Sequence, residues 1–150
     1  MLSAVPVHAQ NSDKMDFFIG PLTEILGFSR KGPSLGAGFA LGAGTGVTLG
    51  LRMLYSIDLD SINTLEMSGF FRFYLKGGDA HTGLFIQLNV GAAIFAYERV
   101  VFTRAESSAL SAGVAAGWRF MLKERWYFEP YIRAGYPYIA GVGAAFAYRL

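Results

Sequence analysis

From about Thr64 to the C-terminus, apolar residues occupy every second position, separated by small, polar or charged ones. In Thr64–Lys76, Leu65, Met67, Phe71, Phe73 and Leu75 alternate with Glu66, Ser68, Phe70, Arg72 and Tyr74. In Leu84–Glu98, the series Leu84, Ile86, Leu88, Val90 alternates with Phe85, Gln87, Asn89, Gly91. A period of two means β-strands, because successive side chains point to opposite faces of a sheet. Read along the whole chain, the pattern predicts about eight strands. They are Asp16–Phe28, Ser34–Ala43, Val47–Ile57, Thr64–Lys76, Leu84–Glu98, Ser107–Met121, Trp126–Gly135 and Gly141–Leu150. The first is the weakest, since Pro21 and Gly27 interrupt it and Leu22–Leu26 could instead form a helical turn.

A soluble sheet of this extent would cover its apolar face with helices, and almost no helical period is present. Lipid is the natural cover. A membrane strand needs ~9–11 residues, and these segments qualify. Backbone groups in hydrocarbon must all be paired, so the sheet has to close into an antiparallel up-and-down transmembrane β-barrel. Eight strands leave an interior that side chains can fill. Composition agrees: 53% of residues are hydrophobic and only 16% charged, against roughly 25% charged in soluble domains. Cysteine is absent, which excludes a disulfide framework and thiolate metal sites. The basic residues are scattered singly, with no stripe suited to nucleic acid. At the N-terminus, Val7 and Ala9 before Gln10 resemble a signal-peptidase site. Residues 1–9 therefore read as a truncated signal-peptide remnant, 10–15 as a lead-in and 16–150 as the barrel.

Two other folds compete. Gly32–Leu51 carries no charge and is long enough for a membrane helix, with Gly38, Gly42, Gly46 and Gly50 at small-xxx-small spacing. Each of those glycines would cost a helix ~1 kcal/mol, which disfavours it. A soluble lipocalin-like barrel would need its polar set outside, and here that set is too small and glycine-rich.

With both termini in the periplasm, the turns at Gly44–Gly46, Lys76–His81 and Lys123–Arg125 fall on the periplasmic side, where barrels keep connections short. The longest connection, about Arg99–Glu106, falls outside. In that register Phe71, Phe73, Trp118, Phe120, Trp126, Phe128, Phe146 and Tyr148 form a lipid-facing aromatic girdle near the periplasmic end.

These features together resemble the small outer-membrane barrels of the OmpA/OmpX/OmpW type. The last segment, Gly141-Val-Gly-Ala-Ala-Phe-Ala-Tyr-Arg-Leu150, is similar to their C-terminal assembly signal in Gly143, Phe146 and Tyr148, with Leu150 where the family usually has Phe. The resemblance implies a diderm bacterial outer membrane, surrounding lipids and the barrel-assembly machinery as partners, and a monomer. It implies no cofactor.

The inward face carries Arg52, Glu66, Arg72, Arg119, Glu129, Arg133 and Arg149, with Glu24 if the first strand is placed correctly. Arg119 should oppose Glu129 across the Lys123–Arg125 hairpin, and Arg149 should approach Tyr127 and Glu129. Buried charges must be paired, so an ion-pair plug is the expectation. The glycine and alanine faces of the second, sixth and eighth strands could leave a water-filled pocket, giving a narrow channel for small anionic solutes as the alternative. A lipid-modifying enzyme comes third. Its triad would need His81, alone in a turn and far from Ser107, Ser108 and Ser111, and His8 leaves with the signal. Asp58–Asn63 lacks the glycine of a calcium loop, and Gly36–Gly46 lacks the Gly-Lys-Ser/Thr of a phosphate loop. Short outer loops argue mildly against an adhesin. The sequence thus leads to an outer-membrane barrel with a structural or interaction role.

Overall fold

The computed structural model describes residues 15–27, 33–58, 62–76, 82–99 and 103–150, apart from the side chains of 58, 76, 97–99 and 103–106. The strands are β1 (Asp16–Gly27), β2 (Ser34–Gly44), β3 (Val47–Asp58), β4 (Ile62–Lys76), β5 (Gly83–Arg99), β6 (Thr103–Lys123), β7 (Trp126–Tyr136) and β8 (Ala140–Arg149). Each pairs with its sequence neighbours, and β1 pairs antiparallel with β8, so the sheet closes on itself. The weak first strand is a strand throughout, with strict inward and outward alternation. Residues 33–51 of the charge-free segment that competed as a membrane helix lie in the β2–β3 hairpin, which turns at residues 45–46.

Parity sorts the side chains as a bilayer requires. Leu35, Leu51, Met53, Leu88, Val90 and Val142 point outward and are exposed, while Arg52, Glu66, Arg119 and Glu129 are buried inside. The apolar exterior and polar interior invert a soluble protein, and only hydrocarbon makes that distribution favourable.

Two prolines leave gaps in the ladder. Pairing of β1 with β8 skips Gly20 and Pro21, between Ile19↔Tyr148 and Leu22↔Ala145. Pairing of β6 with β7 skips Pro130, between Gly117↔Tyr131 and Phe120↔Phe128. Proline has no N–H to donate, so each gap is the local cost of its missing donor.

The sheet is not level at its two ends. The 21-residue β6 starts four residues earlier than the alternation predicts, and its pairing with β7 begins only at Ala112↔Tyr136. Thr103–Ser111 therefore pairs with β5 alone, while β5 stays paired with β4 as far as Tyr97, so the hairpin stands well beyond β7 and only slightly beyond β4. Polar composition hid this extension from a hydrophobic pattern.

Candidate functional site: the lumen

Inward-pointing charges from five strands meet in two clusters, one above the other. Nearer the end bearing the 45–46 and 124–125 turns, Glu129 on β7 receives two arginines. Arg72 Nη1 donates to both its carboxylate oxygens at 3.0 Å, and Arg119 Nε donates to Oε1. The flanking register places Arg119 opposite Glu129, as the tight hairpin implies. Nearer the other end, Arg133 donates to both oxygens of Glu66 at 3.0 Å and to Glu24 Oε2 at 3.2 Å. Glu24 also accepts from Arg52 and, at 2.6 Å, from the Tyr131 hydroxyl. The first cluster holds two arginines and one glutamate; the second holds two of each.

Arg149 approaches Tyr127, as its strand position suggests, but its ion-pair partner is a different carboxylate from Glu129. Its Nε lies 2.7 Å from Asp16 Oδ1, and it does not join Glu129. In register, Arg149 faces Phe18 of β1 across the closing seam, so it reaches along β1 to Asp16. The Tyr127 hydroxyl approaches the other Asp16 oxygen at 3.5 Å. Asp16 escaped the sequence reading because it opens the least certain strand; its parity with Phe18, Leu22 and Glu24 was the available signal.

Apolar side chains pack among and beside the charges in two groups. Phe18, Phe70, Tyr127 and Ala147 pack towards the turn end, and Leu22, Leu26, Leu54, Ala145 and Tyr138 towards the other. Tyr138 lies in the β7–β8 connection yet is fully buried, its hydroxyl 2.9 Å from Ser56 Oγ. Arginine planes stack on this aromatic lining. The Arg119 guanidinium carbon is 4.3 Å from the Phe18 ring centre and 4.6 Å from that of Tyr127, and Arg72 is 4.2 Å from Phe85. Such stacking is worth about 2 kcal/mol when desolvated.

The glycine faces do not leave the open pocket suggested by their size. A Cβ at Gly42 would meet the Phe18 ring at 2.7 Å, one at Gly117 the Phe85 ring at 2.6 Å, and one at Gly143 the Tyr131 ring at 2.6 Å. Large side chains from neighbouring strands lie over these glycines. What remains is a small cavity between the two clusters, bordered by Arg52, Arg72, Gln87, Glu129 and Tyr131. The centre of a water-sized sphere has about 20 Å³ to move in there.

On the outer surface, Phe71 and Phe73 lie with ring centres 4.8 Å apart, Trp118 and Phe120 6.2 Å, Trp126 and Tyr148 5.0 Å, and Phe128 and Phe146 5.0 Å. All eight sit in the turn-end halves of their strands, and Phe17 of β1 is exposed beside them. At the C-terminus, Gly143 faces inward, Phe146 and Tyr148 outward, and Leu150 N donates to Phe17 O at 2.9 Å.

The signal remnant with Val7, His8, Ala9 and Gln10, most of the lead-in, Phe28, most of the Lys76–His81 turn and residues 100–102 lie outside the described residues. So do residues 59–61 of the loop compared with a calcium site, together with the Asp58 side chain. Among the described residues no three His, Cys, Asp or Glu side chains group as metal ligands.

Fold and lumen together define the class: a small, eight-stranded transmembrane barrel with a charged, side-chain-filled interior. Within that class, the chain belongs to the family described as "Protein of unknown function (DUF3575)", whose pattern matches residues 18–142. No curated protein matches it significantly in sequence. Among solved structures it is similar to Neisserial surface protein A, with TM-score 0.66, 5% identity, and 91% of this chain and 96% of that one covered. The N-terminal barrel of Pseudomonas aeruginosa OprF aligns with TM-score 0.58 at 17% identity, covering 89% and 97%. Ail, the attachment invasion locus protein of Yersinia pestis, in complex with the heparin analogue sucrose octasulfate, aligns with TM-score 0.58 at 12% identity, covering 91% and 97%. At these identities the likeness is one of fold.

Proposed function

We propose that this chain is an integral outer-membrane protein with a structural or interaction role, monomeric, whose lumen is a plug and not a pore. The observation that carries this is the pair of Arg–Glu clusters that, with the apolar side chains packed among them, fill the lumen. An ion crossing the barrel would have to break bidentate, dehydrated ion pairs, each held by charge-assisted hydrogen bonds. The outer-membrane address is supported by the apolar exterior, the aromatic belt and the resemblance to barrels such as OprF and Ail. Its partners in this reading are the surrounding lipids and, during biogenesis, the barrel-assembly machinery acting on Gly143, Phe146, Tyr148 and Leu150. Interaction would fall to the projecting β5–β6 hairpin, whose β6 strand runs beyond its pairing with β7. No catalytic role is assigned.

The second reading is a narrow channel. Ser68 Oγ, Asn89 Nδ2 and Ser111 Oγ are buried without a hydrogen-bond partner among the described residues, which favours water along the β4–β6 wall. Planar-bilayer recording of the refolded protein separates the two. The plug predicts a silent membrane; stable unitary current steps would overturn it in favour of the channel.

A further inference from the structure

We infer that the cavity between the two clusters binds one small monovalent anion of chloride or bromide size. Charge provides the first argument. Among the described residues, the charged side chains at 5% exposure or less are Arg52, Arg72, Arg119 and Arg133, against Glu24, Glu66, Glu129 and Asp16, and Asp16 is taken up by Arg149. The Asp16–Arg149 pair at the turn end is neutral in itself, and Arg149 is 37% exposed to its surroundings. One positive charge is thus left over in a medium where an uncompensated charge is costly. It is localised: Arg72 and Arg119 share the single carboxylate of Glu129, whereas Arg52, Arg133, Glu24 and Glu66 balance.

Free donors provide the second argument. Arg52 borders the cavity, spends its Nη2 on Glu24, and keeps a buried Nε with no partner. Arg72 also borders the cavity, held in place by Gln87 at 2.8 Å and by Glu129. Both Nη atoms of Arg119, behind Glu129, also lack an acceptor. Size is the third. A space of about 20 Å³ for the centre of a water-sized sphere takes about one ion or water and no organic anion. Phe18, Leu22, Phe85 and the alanines around it lower the local dielectric and strengthen attraction to the arginines.

This inference does not require conduction: a plug that holds an anion remains a plug. The test uses the full chain refolded in detergent and its thermal midpoint at constant ionic strength, with gluconate replaced stepwise by bromide. Bromide should raise the midpoint saturably, whereas gluconate, too large for the cavity, should not. In Glu129→Gln the competing carboxylate charge is gone, so half-saturation should move about ten-fold lower in bromide. If that variant folds only with bromide present and not with gluconate, the inference is equally supported. Should it fold in neither, crystals of the unaltered protein soaked in bromide decide, an anomalous peak between Arg52 and Arg72 being required. Equal midpoints in both salts, or an unmoved half-saturation in Glu129→Gln, would overturn the anion site. Neither result bears on bilayer current, so the plug stands or falls separately.

Discussion

Adjacent residues on β5 meet opposite solvents, and substitutions there should behave accordingly. Leu88, the sixth of the 17 residues of β5, faces outward and Gln87 faces the lumen. Leu88→Arg should destabilise the barrel by ~2–4 kcal/mol through exposure of a charge to hydrocarbon. Gln87→Arg is a poorer control than its parity suggests, because Gln87 accepts from Arg72 and a second guanidinium would be forced against it. Gln87→Glu should instead be tolerated or mildly stabilising, since its carboxylate can accept from Arg72 and offset the excess positive charge. Urea midpoints of both variants in the same detergent check the contrast, and equal losses would contradict the assigned faces. Glu24 binds Arg52, Arg133 and Tyr131 together. Its replacement by Gln should cost about 3–5 kcal/mol, because two buried arginines lose their shared anion.

At the scale of elements, closure depends on the β1–β8 seam. A Cβ at Gly20 would fall 1.7 Å from the Phe146 carbonyl oxygen, a backbone atom with little freedom to move. Gly20→Ala should therefore open the seam and abolish the folded form. Gly46, with nothing within 4 Å of its would-be Cβ, should accept alanine without loss. Comparing refolding yields on unboiled gels would test both. The β5–β6 hairpin carries the opposite expectation. Beyond Tyr97, which still pairs with Ile62 of β4, the hairpin pairs with no other strand, so replacing residues 98–104 by a two-residue turn should leave the barrel intact, and a failure to fold would show that this segment is part of the closed sheet.

For the whole molecule, a sheet closed through the β1–β8 seam has no free edge strand at which detergent can begin to unzip it. Without boiling, the full-length protein should therefore run faster on a denaturing gel than the boiled chain, and do so from outer-membrane fractions. A single band found only in soluble or inner-membrane fractions would contradict the membrane-barrel reading. The two charge clusters belong to this scale too, because they join β1, β3, β4, β6 and β7 across the lumen. Their cooperative loss should make unfolding a single transition.

Strand number, inward and outward faces, the aromatic belt and the identity of most lumen charges were legible in the sequence, because a strand's two-residue period is local. Its phase requires no knowledge of neighbours. Strand ends were less legible where polarity replaced alternation, as in the extension of β6 to Thr103. Partners across the lumen were not legible at all. Arg149 could be placed on the inner face, but only closure of β8 onto β1 decided that it meets Asp16 and not Glu129. Glycine faces read as open space until Phe18, Phe85 and Tyr131 from other strands covered them. The small cavity with its unshared positive charge is likewise a product of closure. Side-chain direction follows from a residue's own strand, but what it meets 10 Å or so away across a barrel depends on the register of every strand between.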